Sequence, residues 1–523
     1  MTLAILPVVA LLHACASAPG PSQADLNKAA SGADWLLPNR DYASHRYVDL
    51  NGITPANVAQ LRPVCTYNSG ETTRFAGNPL VAGNALYLTT RANTVALNAA
   101  DCSVIWKHEA PGKPNAFQSR GAALKDGKLV RATIDGHLIA LDAATGALLW
   151  EVQAADADRS EAIVMAPIAF DDLVIAASGI SEFAVKGWIR AFRLIDGAPV
   201  WRFNTIPDDD DPAAKTWSNA DARAKGGGGV WTVAPAIDVD KGLLYAAVGN
   251  PAPDYFGDVR AGSNLYTASL VVLDVRTGRL QWHRQFIPHD LHDHDLTIAG
   301  PLYQTDIGGK RSSIVIAGGK DGVLRAIDRD TRQEIFATAV TTRTNAGAQP
   351  TIDGTHVCPA ALGGLQWNSP AFNARLNRLF VPAVDWCGTY MRAEELSFAP
   401  NQFYVGGSVK FDPVEQSRGW LVALDAASGA IAWKYESRRP LVASVTATSS
   451  DLLFTGELTG DFLALDARDG KLLYRHPVGG PIGNGVITYA VNGKQHVAVT
   501  SGSATFFWGV PQAPATVTIF AVP

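Results

Sequence analysis

The chain has 523 residues, a formal net charge of -5 and a sequence pI near 6.1, with 48 glycines, 30 prolines and 13 tryptophans. This composition favours many short strands joined by tight turns over bundles of helices. The mildly acidic balance, with no basic patch, argues against a nucleic acid as partner.

The N-terminal segment has the character of an export signal. Residues 3–12, LAILPVVALL, form an apolar run that is too short to span a bilayer. It is followed by HACASAPG, in which Ala14 directly precedes Cys15, so we assign residues 1–19 as a signal segment. Two alternatives stay open: a lipoprotein signal in which Cys15 is acylated and anchors the protein to a membrane, or an ordinary cleaved signal with an incidental cysteine. Residues 20–40 are a polar lead-in, and residues 41–523 are predicted to form a single domain.

One unit recurs along the chain: an apolar strand, an Asp or Asn with a small-residue turn, and a second strand that ends in an aromatic residue. Examples are LIALDAATGALLW, ending at Trp150, and LVALDAASGAIAW, ending at Trp433. The Asp side chain can bond back to the backbone and the Gly can take a positive φ angle, so each unit predicts one hairpin of a small sheet.

The spacing of the terminal aromatic residues predicts a β-propeller. Successive spacings are 44, 51, 81, 54, 97 and 41 residues, and the short ones match one four-stranded blade. The gap of 81 fits a blade with a long insertion, and the gap of 97 fits a hidden blade near residues 376–384. Seven visible units and one hidden unit predict an all-β, eight-bladed propeller, a closed fold with few free edges. A two-sheet sandwich would give no reason for so regular a unit. The last residues, VTIFAVP, are expected to complete the sheet begun at the other end of the chain.

Four further cysteines fit an oxidising compartment. Three pairings are open to Cys65, Cys102, Cys358 and Cys387, and proximity in sequence favours Cys65–Cys102 and Cys358–Cys387. No CxxCH motif is present, so this chain carries no attachment site for a c-type haem.

The repeat resembles the tryptophan-docking motif of quinoprotein alcohol dehydrogenases, although envelope assembly lipoproteins that bind no cofactor have a related repeat. The insertions discriminate between the two. The stretch 226–296, which contains GGGGVW, GNPAPD and PHDLHDHDL, is similar to the central segment of the dehydrogenases. The similarity continues through AGGKDGVLRAIDRDT to HVCPAALGGLQWNSPAF. The resemblance implies a periplasmic enzyme that uses pyrroloquinoline quinone and a metal ion to oxidise an alcohol. The spacing of Cys358 and Cys387 also matches a disulfide of the family.

The resemblance implies a set of residues that bind the quinone. Trp231, which follows four glycines, would provide a flat surface beneath the ring system. Arg120 would pair with a cofactor carboxylate, and Lys320 would stabilise the negative charge that develops on the quinone oxygens. Three further contacts are implied at Ser178, Gly179 and Gln366.

A second set of residues is implied for the metal ion and the catalytic base. Glu182, Asn250 and Asp293 would bind the metal through oxygen atoms, and Asp293 would also act as general base. Asp295 matches the extra aspartate of family members that use lanthanides, although members thought to use calcium also have one. Calcium is therefore the expected ion, with a lanthanide as the alternative. His292 stands where the family usually has an aromatic residue. A zinc site is disfavoured, because the segment has neither a cysteine nor a second histidine cluster nearby.

These residues predict an enzyme that oxidises a small-molecule or polymeric alcohol by hydride transfer to the quinone. Because the chain has no haem motif, the electrons would pass to a separate cytochrome c or a similar periplasmic acceptor. Two alternatives remain open: a propeller scaffold of the bacterial envelope without a cofactor, and a quinoprotein that acts on sugars or polymeric alcohols.

Overall fold

The structure is a computed structural model that describes residues 20–110 and 120–523; the signal segment with Cys15 lies outside the described residues. Two short α-helices, α1 (Gln23–Asn27) and α2 (Ala220–Ala224), accompany 36 strands in this part of the chain. None of its helices combines the length and the apolar character that crossing a membrane requires. The first eighteen strands are β1 Tyr47–Val48, β2 Arg62–Asn68, β3 Leu80–Ala82, β4 Ala85–Thr89, β5 Asn93–Asn98, β6 Val104–Glu109, β7 Ala122–Lys125, β8 Lys128–Ala132, β9 His137–Asp142, β10 Leu148–Gln153, β11 Ile168–Phe170, β12 Leu173–Ala177, β13 Trp188–Arg193, β14 Pro199–Asn204, β15 Ala236–Asp238, β16 Leu243–Val248, β17 Ser269–Asp274 and β18 Leu280–Gln285. The remaining strands are β19 Leu296–Ile307, β20 Lys310–Gly319, β21 Val323–Asp328, β22 Glu334–Ala339, β23 Thr355–Val357, β24 Ala371–Asn373, β25 Arg378–Asp385, β26 Gly388–Arg392, β27 Gly407–Phe411, β28 Arg418–Asp425, β29 Ile431–Ser437, β30 Thr446–Thr448, β31 Leu452–Gly456, β32 Asp461–Asp466, β33 Leu472–Pro477, β34 Val486–Val491, β35 Lys494–Ser501 and β36 Thr516–Ala521.

The strands form small sheets that follow one another along the chain. Five sheets consist of four consecutive strands each: β3–β6, β7–β10, β11–β14, β15–β18 and β19–β22. A sixth contains β24, β25, β28 and β29, a seventh contains β30–β33 with β1 at its edge, and an eighth contains β34–β36 with β2. A three-stranded sheet of β23, β26 and β27 lies within an insertion. The predicted all-β propeller class is confirmed, and the eight sheets of four or more strands in the described residues are consistent with the predicted number of blades.

The two ends of the chain meet in one sheet. Strand β2, near the N-terminus, pairs antiparallel with the C-terminal strand β36, with Cys65 opposite Ile519. The expectation that a terminal strand completes the sheet begun at the other end is confirmed. This pairing removes the two free edges that an open array of sheets would leave.

The repeated aromatic residue connects each sheet to the next. The indole of Trp106 donates a hydrogen bond to the carbonyl oxygen of Ala143 (3.0 Å), which belongs to the Asp-x-x-x-Gly turn of the following sheet. The same ring lies against Gly146, which has a φ of +74°. Trp150 makes the equivalent bond to Leu194, at 3.0 Å. The recurring unit therefore joins adjacent blades as well as closing a hairpin.

Residues 42–46, which follow the lead-in, make hydrogen bonds to several sheets. The hydroxyl of Tyr42 donates to the carbonyl oxygen of Ala169 in β11 (2.6 Å). The buried guanidinium of Arg46 donates to the carbonyl oxygens of Val445 (2.9 Å) and Val486 (3.3 Å), in the sheets of β30 and β34. Since these sheets are far apart in sequence, residues 42–46 link blades that do not follow one another. The boundary predicted at residue 40 stays a prediction.

Both disulfides favoured by proximity are present, Cys65–Cys102 and Cys358–Cys387. The first joins β2 to the turn between β5 and β6 and so connects the closing sheet to the next one. This prediction from the sequence is confirmed.

The contact between the aromatic ring and the glycine turn predicts a specific loss of stability. A Cβ added at Gly146 would lie 2.5 Å from the Trp106 ring, whereas one added at Gly70, with a φ of +77°, would meet nothing within 4 Å. Gly70→Ala should cost about 1–2 kcal/mol from the left-handed backbone alone. Gly146→Ala should cost about 1–3 kcal/mol more, because it also overpacks the blade junction. Thermal unfolding of the two variants measures the difference, and equal transition temperatures would contradict this account.

Candidate active site

The predicted site residues lie on loops at one edge of the ring. In an antiparallel four-stranded blade, the start of the first strand and the connection between the second and third strands lie at the same edge. Arg120, Trp231 and Asp293 directly precede the first strands β7, β15 and β19. Glu182, Asn250 and Lys320 lie in the connections β12–β13, β16–β17 and β20–β21. The topology of four different sheets therefore brings distant parts of the sequence to a common edge.

A buried ammonium group lies between two of the predicted carboxylates. Lys320 Nζ is 2.7 Å from Asp293 Oδ1 and 2.7 Å from Asp295 Oδ2. Asp295 Oδ1 accepts a hydrogen bond from the backbone N–H of Asn250 at 2.7 Å. Both oxygens of Asp295 therefore contact donor groups of the protein, and its role as a metal ligand stays a prediction.

Three carboxylates converge beside this ion pair. Oxygens of Glu182, Asp254 and Asp293 lie within 4.8 Å of one another. Asp254 is 1% exposed, and its Oδ1 has no hydrogen-bond partner in the part of the chain that the structure describes; the same is true of the side-chain oxygen of Asn250, also 1% exposed. Buried oxygens without a donor are costly, and carboxylate and amide oxygens are the ligands that hard cations prefer. The donor set therefore fits a calcium or lanthanide ion.

The crowding of these acids changes their affinity for protons. Burial raises the pKa of Glu182, and the charge of Asp295 adds to this effect while Lys320 opposes it. Burial also raises the pKa of Asp254 and Asp293 well above the ordinary range, again with neighbouring acids adding and Lys320 opposing. Burial alone would lower the pKa of Lys320, but Asp293 and Asp295 outweigh it and raise that pKa. A cation at the cluster would relieve this repulsion.

The loop that contains Asp293 is stabilised by hydrogen bonds to the side chain of Asp290. The two carboxylate oxygens of Asp290 accept the backbone N–H groups of His292 (3.1 Å) and His294 (2.8 Å). Tyr390 donates its hydroxyl to the carbonyl oxygen of His292 at 2.9 Å. Asp293 itself has a φ of +55°, in the left-handed region. This uncommon conformation, fixed on both sides by buried hydrogen bonds, orients the Asp293 carboxylate toward Lys320.

A flat surface with two cations lies next to the carboxylates. The guanidinium of Arg120 is 5.2 Å from the ring centre of Trp231 and 4.4 Å from that of Trp367, and Lys320 Nζ is 5.2 Å from the Trp231 ring. Arg120 Nε donates to the carbonyl oxygen of Trp231 at 2.7 Å, while its buried Nη1 has no hydrogen-bond partner among the described residues. Burial lowers the pKa of Arg120 to about 9. An indole surface with an unpaired buried guanidinium fits a planar ligand that carries carboxylates.

The remaining predicted cofactor residues adjoin this surface but bond within the protein. Ser178 Oγ accepts the backbone N–H of Trp188 at 2.9 Å, and the Ser178 carbonyl accepts the N–H of Val230, beside Trp231. The N–H of Gly179 and the side-chain amide of Gln366 each donate to a backbone carbonyl. Their contacts with a cofactor stay predictions.

Asp254 is the residue that the sequence analysis missed. It lies in GNPAPD, four residues after Asn250, on a loop whose conformation the sequence does not specify. One feature of the sequence could have identified it: an acidic residue follows the Pro-Ala-Pro segment that begins directly after Asn250, a predicted metal ligand.

Comparison with known proteins agrees with this geometry. Residues 35–347 match the family model for the β-propeller domain of glucose, ethanol and alcohol dehydrogenases that use pyrroloquinoline quinone. The chain belongs to the family of quinone-dependent alcohol dehydrogenases. It is 30% identical to the dehydrogenase subunit of a quinone alcohol dehydrogenase from Gluconacetobacter polyoxogenes, over 91% of this chain and 72% of the relative. It is 28% identical to the lanthanide-dependent methanol dehydrogenase of Methylorubrum extorquens, over 94% and 90% of the two chains.

The solved structures give the same result. A quinohemoprotein alcohol dehydrogenase from Pseudomonas putida superposes with a TM-score of 0.88 at 26% identity, covering 96% of this chain and 82% of that one. The predicted family, enzyme class and quinone cofactor are confirmed, and the lanthanide-dependent relative supports the predicted metal cofactor. Residues 417–511 also match the model for the outer-membrane assembly factor BamB, a shorter segment of the chain. The dehydrogenase model matches the longer segment of the chain, so the comparisons favour the enzyme over the alternative of a propeller scaffold without a cofactor.

The buried ion pair predicts how the metal-free protein responds to loss of Lys320. Lys320→Met leaves Asp293 and Asp295 without a cation and should lower the free energy of unfolding by about 3–5 kcal/mol at neutral pH. The loss should shrink as the pH falls, because protonated carboxyls need no counter-charge.

Lys241 provides the matched control. It pairs with Asp330 at the surface, with the two side chains 46% and 56% exposed, so Lys241→Met should cost no more than about 1 kcal/mol. Chemical denaturation of both variants measures the contrast, and similar losses would rule out a structural role for the buried pair.

Proposed function

We propose that this protein oxidises an alcohol at the loop edge formed by Glu182, Asn250, Asp293 and Lys320, and passes the electrons to a separate acceptor. The observation that carries the proposal is the convergence of three carboxylates and an unpaired amide oxygen next to the surface formed by Trp231 and Arg120. Acidic oxygens suit a hard cation, and an aromatic surface beside a guanidinium whose Nη1 has no partner among the described residues suits a planar acid. The metal ion and the quinone that the family uses would thus bind next to each other, the ion at the acidic oxygens and the quinone at the aromatic surface.

Glu182, Asn250 and Asp293 are the metal-binding residues of this proposal. Trp231 supports the ring system of the cofactor, Arg120 pairs with one of its carboxylates, and Ser178, Gly179 and Gln366 border it. Asp295, also predicted to bind the metal, is instead proposed to orient Asn250 and Lys320, because its oxygens contact those two residues.

A quinone bound on Trp231 would supply the hydride acceptor for the carbinol carbon, and a metal ion held by Glu182, Asn250 and Asp293 would supply a Lewis acid. Asp293 accepts the proton of the substrate hydroxyl group. Burial raises the pKa of this carboxyl and so makes it a better proton acceptor, and the ammonium of Lys320 at 2.7 Å keeps it from rising further. Lys320 would also stabilise the negative charge that develops on the oxygens of a bound quinone.

The substrate in this proposal is a small-molecule or polymeric alcohol, and the acceptor is a cytochrome c or a similar periplasmic protein. Residues 1–523 contain no CxxCH motif, so the proposed acceptor lies outside these residues. Export to the periplasm rests on the apolar run at residues 3–12, and lipidation at Cys15 remains the alternative to simple cleavage.

Reconstitution tests the function directly. The purified metal-free protein, supplied with pyrroloquinoline quinone and either calcium or lanthanum, should reduce an acceptor dye with a panel of primary, secondary, sugar and polymeric alcohols. Asp293→Asn should lower kcat by about 10²–10⁴-fold, since it removes the base. Asp306→Asn, at a position 70% exposed, serves as the control and should keep full activity. Turnover that survives in Asp293→Asn would exclude Asp293 as the base.

Cofactor affinity tests the role of Arg120. Arg120→Met removes the unpaired guanidinium but keeps an apolar chain of similar length against the tryptophans, so the Kd for the quinone should rise by at least about 10-fold. Quenching of tryptophan fluorescence on addition of the quinone measures it. An unchanged Kd would mean that the guanidinium makes no contact with the cofactor.

A further inference from the structure

Asp254 is a buried acid that has no direct ion-pair partner among the described residues, although the charges of Lys320 and Arg260 act on it from a distance. It is 1% exposed, its Oδ1 has no hydrogen-bond partner, and it forms no ion pair within residues 20–110 and 120–523. The nearest buried guanidinium, that of Arg260, is occupied by the carbonyl oxygens of Pro253 and Asp254 and by the side chain of Asn264. A buried carboxyl in such surroundings either takes up a proton or is stabilised as a carboxylate by a cation from outside the protein.

The backbone around Asp254 is held firmly. The same Arg260 guanidinium donates to the carbonyl oxygen of Asp290, at 2.5 Å, and so ties the loop of Asp254 to the loop of Asp293. Arg260 is itself fully buried. The approach of Asp254 to Glu182 and Asp293 is therefore maintained by hydrogen bonds outside the acidic cluster.

The charges at this edge favour a trivalent ion. Lys320, which lies 2.7 Å from both Asp293 and Asp295, compensates one of the four negative charges that these two residues carry together with Glu182 and Asp254. Three negative charges then remain when all four acids are ionised. A divalent ion would leave one buried negative charge uncompensated, whereas a trivalent ion would leave none.

We propose that Asp254 is an additional side-chain ligand of the active-site metal ion, and that it adapts the site to a trivalent lanthanide in preference to calcium. The extra carboxylate is thus supplied by the loop after β16, while Asp295 serves as a positioning residue for Asn250 and Lys320. This inference rests on the proposed function, because it assigns a ligand to the metal site of that proposal.

Terbium luminescence tests whether the carboxylate of Asp254 binds the metal ion directly or only contributes a nearby charge. The metal-free protein is titrated with Tb³⁺, and emission lifetimes in H₂O and D₂O give the number of water molecules bound to the ion. Asp254→Ala should increase that number by about one or two, because water replaces a monodentate or bidentate carboxylate. Asp295→Ala should leave it unchanged, although an outer-sphere loss can weaken affinity about 10–100-fold.

Calorimetric titration with La³⁺ and with Ca²⁺ tests the selectivity. Wild-type protein should bind La³⁺ more tightly, and Asp254→Asn should weaken La³⁺ binding more than Ca²⁺ binding, since the Coulomb energy scales with the charge of the ion. Asp258→Asn, on the same loop with a side chain 68% exposed, is the control and should match the wild type. Circular dichroism establishes that each variant is folded, and Asp254→Asn, which preserves the shape of the side chain, covers the case in which Asp254→Ala does not fold.

The outcomes distinguish the two proposals. If Asp254 variants keep the wild-type hydration number and the wild-type ratio of La³⁺ to Ca²⁺ affinity, Asp254 is not a ligand and this inference is overturned, while the proposed function stands. If the wild-type protein binds neither ion, the proposed function fails and the inference fails with it.

Discussion

Pairing of β2 with β36 is the constraint on which the site depends, because it closes the ring of sheets. In a closed ring the blades are arranged around a common axis, so loops as far apart in sequence as those of Arg120 and Lys320 can meet at one face of the ring. Arg120, Glu182, Asn250, Asp293 and Lys320 come from sheets whose relative positions are also set by aromatic rings packed on glycine turns and by the links that residues 42–46 make. An open array could shift at any of these junctions, and the carboxylates would then no longer converge.

The fold could be predicted from the sequence because its determinants are local. The bonds that the Asp142 side chain makes to the backbone N–H groups of Ala144 and Thr145, and the positive φ of Gly146, all lie within five residues. The periodic recurrence of this turn with an aromatic residue therefore predicted hairpins, blades and a ring. The disulfides followed for the same reason, since each pairs cysteines from neighbouring segments.

The site could be predicted only in part. Resemblance located Asn250 and Asp293, and the edge rule for antiparallel blades explains why their loops meet. Neither Asp254 as a member of the acidic cluster nor the pairing of Asp295 with Lys320 could be derived, because both depend on the conformation of irregular loops held by Arg260 and Asp290. The contacts of residues 42–46 with remote blades are likewise tertiary and leave no periodic signal.

The acidic cluster is a local conflict that the fold tolerates. Carboxylates within 4.8 Å of one another repel, and two buried oxygens, of Asn250 and Asp254, have no donor among residues 20–110 and 120–523. Such a set destabilises the folded state unless a cation binds, so folding and metal binding are thermodynamically linked. The ring can sustain this cost because its stabilising contacts, the aromatic docking and the strand pairing, lie away from the loop edge. A preformed anionic site of this kind binds its ion without further ordering of the chain, which is the advantage of building it on rigid blades.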